Sequence, residues 1–307
     1  MPENNNGFDG NVSQLNKPAG EPTDETFHGL TVLEDVEHPL VPEVTHSYYD
    51  PKKDSGCSLQ EEVAMTIEDN DFGTLMIGET GVGKDCLAKY ICMKTNRPMV
   101  RLNFGVDVTY DELVGHYAPD GDGDFTFQYG ILSQAVRNGW MFVADEINAA
   151  SGEATMPLHG ITEDEQNREL TIRETGEVVD PHPEFKFVAT MNPLGYAGTK
   201  DLNSAFKGRF YPVEVPNMDL EDEQDLIVEK SDMDSTNART IVNIANKLRN
   251  ARKEGDIMTP VSTRDLIKIG KMQKIMGLKE ATKRVFSGIA KDHDERAINK
   301  VIDTHLS

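Results

Sequence analysis

Short apolar runs and stretches of helical period alternate along the middle of the chain. TLMIG (Thr74 to Gly78), MVRLNF (Met99 to Phe104), WMFVAD (Trp140 to Asp145), FKFVATM (Phe185 to Met191) and YPVEV (Tyr211 to Val215) are nearly continuous in apolar residues. Strands of this kind, separated by helix-like connections, predict a mainly parallel five-stranded sheet covered on both faces. Two hairpin-like insertions are expected between the last strands and their helices, one near Phe125 to Tyr129 and one at Glu169 to Val179 with its turn at Thr175-Gly176. A first helix is predicted from Ser58, an N-cap with Glu61 and Glu62 in its opening turn, to Glu68. Beyond Pro216 the strand pattern stops. Helices are predicted over Leu220 to Lys230, Ser235 to Lys253 and Thr263 to Met276, with one or two more from Lys279 to Leu306; Ile241, Ile244, Ala245 and Leu248 share a face. The expected domains are an acidic, disordered tail over 1–47, an α/β nucleotide-binding domain over 48–217 and a small all-α lid over 218–307.

The tail expectation comes from charge. Up to His46, nine acidic residues face the single base Lys17, a composition that buries too little apolar surface to offset ordering; at best the tail docks near Leu30 to Leu33. Over all 307 residues, Lys+Arg 31 against Asp+Glu 53 gives a net charge of −22, so nucleic acid bound through a broad basic surface is not expected. Such acidity favours solubility and also suits a saline cytoplasm. Cys57, Cys86 and Cys92 form no even-numbered framework. No apolar leader or membrane-length run is present, which points to a cytoplasmic protein.

The chemistry concentrates at strand ends. GETGVGKD (Gly78 to Asp85) follows the first strand and opens the helix CLAKYICMK, the context of a phosphate-binding loop. Gly78, Gly81 and Gly83 allow N–H groups to turn toward phosphate oxygens, Glu79, Thr80 and Val82 complete the loop, and Cys86 follows in the first helical turn. Lys84 supplies a point charge for the β- and γ-phosphates of ATP. Where such loops place Ser or Thr for Mg²⁺, this chain has Asp85, a hard metal ligand that also brings negative charge toward the nucleotide. Asp145 and Glu146, at the end of WMFVAD, suit metal binding and water activation. Asn192, ending VATMN, could orient that water, and Asn103, ending RLN, could hold Glu146 in an unproductive rotamer. Arg209 and Arg264 could neutralise charge on a transferring phosphoryl group.

These motifs, GETGVGKD, FVADEINAA, ATMNPLGYAG, LNSAFKGRF and VSTRDL, resemble AAA+ ATPases of the MoxR and dynein-like branch, and most resemble the CbbQ, NirQ and NorQ activators. DELVGHY, GILSQAVRNGW and the stretch from His159 to Pro193 add to the likeness, which covers Leu75 to Met272. The resemblance implies an ATP- and Mg²⁺-dependent ATPase with a P-loop AAA+ core. Gly78, Gly83 and Lys84 would be Walker A, Asp145 and Glu146 Walker B, and Asn192 sensor 1. Arg209 would be an arginine finger reaching a neighbouring subunit, and Arg264 sensor 2, closing the lid onto nucleotide bound between the two domains. It further implies a homo-oligomeric ring, usually a hexamer, that works with a von Willebrand A-type partner on a client enzyme; the two hairpins would face the pore or client. Other readings are an ATPase subunit of a cobalt chelatase similar to CobS, a nucleotide-sensing scaffold that hardly hydrolyses because of Asp85, and a nucleic-acid translocase with a basic pore hidden in an acidic ring.

Overall fold

A computed structural model of the chain describes residues 16–45, 48–51, 56–105, 107–120, 123–193, 202–291 and 293–306. Two compact units emerge: one of Met1–Tyr48, Lys52–Ile77 and Lys84–Glu214, the other of Tyr49–Pro51, Gly78–Gly83 and Val215–Ser307, each taken over its described residues.

The acidic N-terminal segment docks at Leu30 to Leu33 as expected, but it is ordered well beyond that point. Residues 1–15 of it lie outside the described residues, but Pro22–Phe27 (β1) and Leu30–Leu33 (β2) form an antiparallel hairpin. His28 and Gly29 both take positive φ, the geometry of a tight two-residue hairpin loop. The acidic side chains of β1 face outward, whereas Leu30 and Leu33 are buried. Main-chain bonds dock the segment: Ala19 N donates to Asn138 O at 2.8 Å and Leu33 N to Thr95 O at 3.0 Å. Buried Arg97 donates to Thr31 O at 3.1 Å and buried Trp140 to Lys17 O at 3.0 Å. Composition misled because order here comes from backbone hydrogen bonds and two leucines rather than from average hydropathy.

The helix Leu59–Glu68 (α1) starts at Ser58, whose hydroxyl accepts from Glu61 N at 3.2 Å. Gly73–Ile77 (β3), Lys84–Lys94 (α2) and Met99–Asn103 (β4) follow. Next come Tyr110–Leu113 (α3), the hairpin of Gly115–Pro119 (β5) and Phe125–Tyr129 (β6), Ile131–Asn138 (α4), Met141–Asp145 (β7) and Gly152–Ile161 (α5). The second hairpin, Leu170–Ile172 (β8) with Glu177–Val179 (β9), turns through Gly176 at φ +72°. Lys186–Met191 (β10), Ser204–Lys207 (α6) and Phe210–Glu214 (β11) close the unit. The first hairpin therefore lies between β4 and β7, earlier than expected, and only the second precedes β10.

The five long strands pair in parallel in the order β11-β3-β10-β7-β4. Both β7 and β10 are buried along their whole length, which is why their sequences read as nearly continuous apolar runs. Leu75, Val100, Phe142, Ala144, Ala189 and Trp140 belong to one continuous core. Parallel order puts the carboxyl ends of β3, β7 and β10 on one edge, carrying the loop at Gly78, Asp145 and Asn192 respectively.

The other unit is helical: Leu220–Ser231 (α7), Ser235–Glu254 (α8), Thr263–Met276 (α9), Leu278–Ile289 (α10) and Glu295–His305 (α11). Its core holds Ile227, Ile241, Ile244, Leu248, Leu266, Ile269 and Phe286. A capping box of Ser262 and Asp265 starts α9. Buried Glu223 accepts 2.7 Å bonds from both terminal nitrogens of Arg249 and a 2.6 Å bond from Thr263. Among the described residues, no helix is long and apolar enough to cross a membrane.

Candidate functional site

The β3–α2 turn brings Lys84 to the first position of α2, with its side chain buried. Its Nζ donates to Asn192 Oδ1 at 3.0 Å, and Asn192 Nδ2 donates to Glu146 Oε1 at 3.2 Å. A continuous chain thus links the loop lysine, the amide at the end of β10 and the carboxylate after β7. Asn148, two residues after Glu146, donates to the main-chain oxygen of Asn192 at 3.2 Å and so ties down the backbone that carries this amide.

Glu146 sits at φ +55° and ψ +41°, a left-handed conformation that a residue with a side chain adopts at a cost of about 1–3 kcal/mol. Thr190, buried on β10, holds this corner in place. Its Oγ1 accepts from Glu146 N at 3.2 Å, and its hydroxyl donates to Asp145 Oδ1. Asn103 does not engage Glu146 as expected: it is exposed at the end of β4, while Glu146 is held by Asn192.

Arg101, on β4 two residues before the strand end, was not singled out by its sequence context. Its Nη2 donates to Asp145 Oδ2, and its Nε faces Asp85 Oδ1 at 3.3 Å. Asp85 Oδ2 also pairs with Lys89 Nζ at 2.9 Å, one turn along α2. Burial opposes the Arg101 charge, but the hydrogen bond to Asp145 and the fields of Asp145, Asp85 and Glu146 together hold its pKa above the ordinary arginine value. The only available signal was a base inside an otherwise apolar strand run; Thr190 gave no signal at all, being an ordinary strand residue by sequence.

These carboxylates have the chemistry for Mg²⁺: two hard oxygen donors, Asp85 and Asp145, converge on one positive charge. Among the described residues, no group of three or more His, Cys, Asp or Glu could hold a metal from protein side chains alone. The set suits an ion that takes its remaining ligands from phosphate and water.

Arg209, after α6, is held within its own chain. It contacts the Glu163 carboxylate, lies 3.3 Å from His159 Nδ1 and donates to Ala205 O at 3.2 Å. Burial first, then the Arg209 charge, lowers the His159 pKa below its ordinary value.

The loop Gly78–Gly83 groups with the helical unit and its contacts there are close. A Cβ at Gly78 would meet Val215 O at 2.5 Å, and one at Gly81, whose φ is +82°, would meet the Ser262 side chain at 2.6 Å. Gly83 also takes positive φ. Glu79 is salt-bridged to Arg252 on α8. Thr80 and Cys86 are exposed, Val82 is buried, and Arg264 is exposed in the first turn of α9. Part of the ATMNPLGYAG motif, residues 194–198, lies outside the described residues.

Residues 73–210 match the family described as AAA domain (dynein-related subfamily), and residues 223–305 match CbbQ/NirQ/NorQ C-terminal. Protein CbbQ of Hydrogenophilus thermoluteolus is 30% identical over 66% of this chain and 74% of its own length. An uncharacterized protein of Staphylococcus saprophyticus is 32% identical over 78% of this chain and 92% of its own. Midasin of Dictyostelium discoideum is 30% identical over 88% of this chain, which spans only 5% of that protein.

Proposed function

The chain belongs to the CbbQ/NirQ/NorQ family of dynein-related AAA ATPases, and on that footing we propose that it is an ATP-driven, chaperone-like activator acting as a homo-oligomeric ring. The ring is a cytoplasmic hexamer that remodels a client protein together with a von Willebrand A-type partner. One observation carries the catalytic part of this reading: the unbroken chain Lys84–Asn192–Glu146 beside Asp145.

In this reading Gly78, Glu79, Thr80, Gly81, Val82 and Gly83 wrap the phosphates of ATP, and Cys86 follows at the helix start. Lys84 exchanges the Asn192 amide for phosphate oxygens, which leaves Asn192 to orient the attacking water. Glu146 accepts the water proton, its backbone held in the left-handed region by Thr190. Asp145 and Asp85 would hold Mg²⁺, which when bound draws charge off the phosphates. Arg209 acts on the adjacent subunit's nucleotide after leaving Glu163, and Arg264 is assigned sensor 2 by its place in VSTRDL.

Glu146→Gln tests the reading. Nucleotide binding should persist by calorimetry while steady-state turnover falls by about two to four powers of ten. Unchanged turnover would remove Glu146 as the base. In rings mixed from Arg209→Ala and Glu146→Gln subunits, activity should partly return, because each supplies what the other lacks.

A further inference from the structure

Asp85 poses an electrostatic problem. The usual residue at this place brings a hydroxyl, whereas Asp85 adds a carboxylate that shares one guanidinium with Asp145, in a protein already at −22. Two carboxylates that converge on one site normally capture a cation or share a proton. Here the cation is part of the chain. Arg101 reaches Asp145 through Nη2 and Asp85 through Nε, and Lys89 takes the outer oxygen of Asp85. Thr190 donates to the remaining oxygen of Asp145. All four carboxylate oxygens therefore face a donor or a positive group, and two negative charges are matched by two positive ones.

The match is close in charge but loose in hydrogen bonding. Asp85 Oδ1 and Arg101 Nε are enclosed yet neither has a hydrogen-bond partner among the described residues, so their 3.3 Å approach is an ion pair without a directed bond. The Arg101 side chain keeps 33% of its surface exposed and Asp85 keeps 30%. A guanidinium held this way neutralises the pair without being locked by it.

We propose that Arg101 is a built-in countercation at the metal position: paired with Asp85, it takes the place of the missing hydroxyl and suppresses divalent-cation binding to Asp85 and Asp145 until nucleotide arrives. This rests on the nucleotide-site reading above for the identity of the position. Arg101 is thus a specificity-determining residue. It makes the order of loading a property of the chain, because a free divalent ion must compete with a tethered charge whose local concentration is high.

The test uses Mn²⁺ alone, titrated into nucleotide-free full-length protein and followed by electron paramagnetic resonance of the free ion. Wild type should bind weakly. Arg101→Gln, which uncovers both carboxylates, should bind at least tenfold tighter, and Arg101→Gln with Asp85→Thr should return to the wild-type level. Arg101→Lys keeps a charge that can reach one carboxylate at a time, so it should bind about threefold tighter or more; it also serves if the glutamine variant fails to fold. Equal Mn²⁺ affinity in wild type and either Arg101 variant would overturn the proposal, as would tight binding that survives Asp85→Thr. Fluorescent ADP binding on the same proteins is a separate readout. Its loss at every metal level would sink the nucleotide reading, while the Mn²⁺ series would still decide whether Arg101 masks the carboxylates.

Discussion

The two units each contain an arginine bound to carboxylates, and the two arginines are built differently. In the helical unit, Arg249 and Glu223 keep 5% and 0% of their side-chain surface exposed, and every polar atom of the pair is used: two parallel 2.7 Å bonds, a 2.6 Å bond from Thr263, and a 2.9 Å bond from Arg249 Nε to Val261 O. In the α/β unit, Arg101 spans two carboxylates, is a third exposed and leaves its Nε without a hydrogen bond. A saturated buried pair has nowhere to go, since any movement strands a charge away from water. A partly exposed, unsaturated one can exchange its partner for another anion or cation at small cost. The contrast separates an ionic group that holds the fold from one available for chemistry.

Three substitutions press on this contrast. The largest effect is expected from Arg249→Ala, which leaves Glu223 buried and unpaired and should destabilise the helical unit by about 3–5 kcal/mol. Trp140, the single tryptophan, lies in the α/β unit, so urea unfolding followed by far-ultraviolet circular dichroism should shift while Trp140 fluorescence shifts little. A loss below about 1 kcal/mol would erase the distinction. Next, Thr263→Val keeps the shape but withdraws one donor from Glu223; a loss of about 1–3 kcal/mol in the same transition is expected. The smallest effect should come from Arg101→Gln, which leaves Asp85 with Lys89 and Asp145 with Thr190 and should cost no more than about 1 kcal/mol in the Trp140 transition. A larger cost would make Arg101 a structural pair like Arg249.

Much of the fold was legible because its signals are local. The five core strands announced themselves as apolar runs, the Ser58 cap followed from capping chemistry, and three helices after Pro216 were expected individually, with one or two more left open where the structure has α10 and α11. Asp145, Glu146 and Asn192 were legible as strand-end residues, because parallel strands deliver their carboxyl ends to one edge. What stayed hidden depends on tertiary pairing. Nothing in PTDETF reveals that its backbone bonds are met by a hairpin partner, and nothing in MVRLN says that Arg101 will reach both Asp85 and Asp145. Thr190 organises two acidic residues from a neighbouring strand, a relation only the register of β10 on β7 creates.

The docked hairpin ahead of α1 bears on how this ATPase can be cut down for the bench. A fragment started at Gly73, where similarity to the AAA domain begins, would lose the Thr31 carbonyl that satisfies Arg97 and the Lys17 carbonyl that satisfies the Trp140 indole. Those donors would have to turn to water, and the patch uncovered where Leu30 and Leu33 sat would be apolar. Expression boundaries drawn from homology alone would thus yield a sticky, weakened core, whereas a start before Asn16 keeps the clasp.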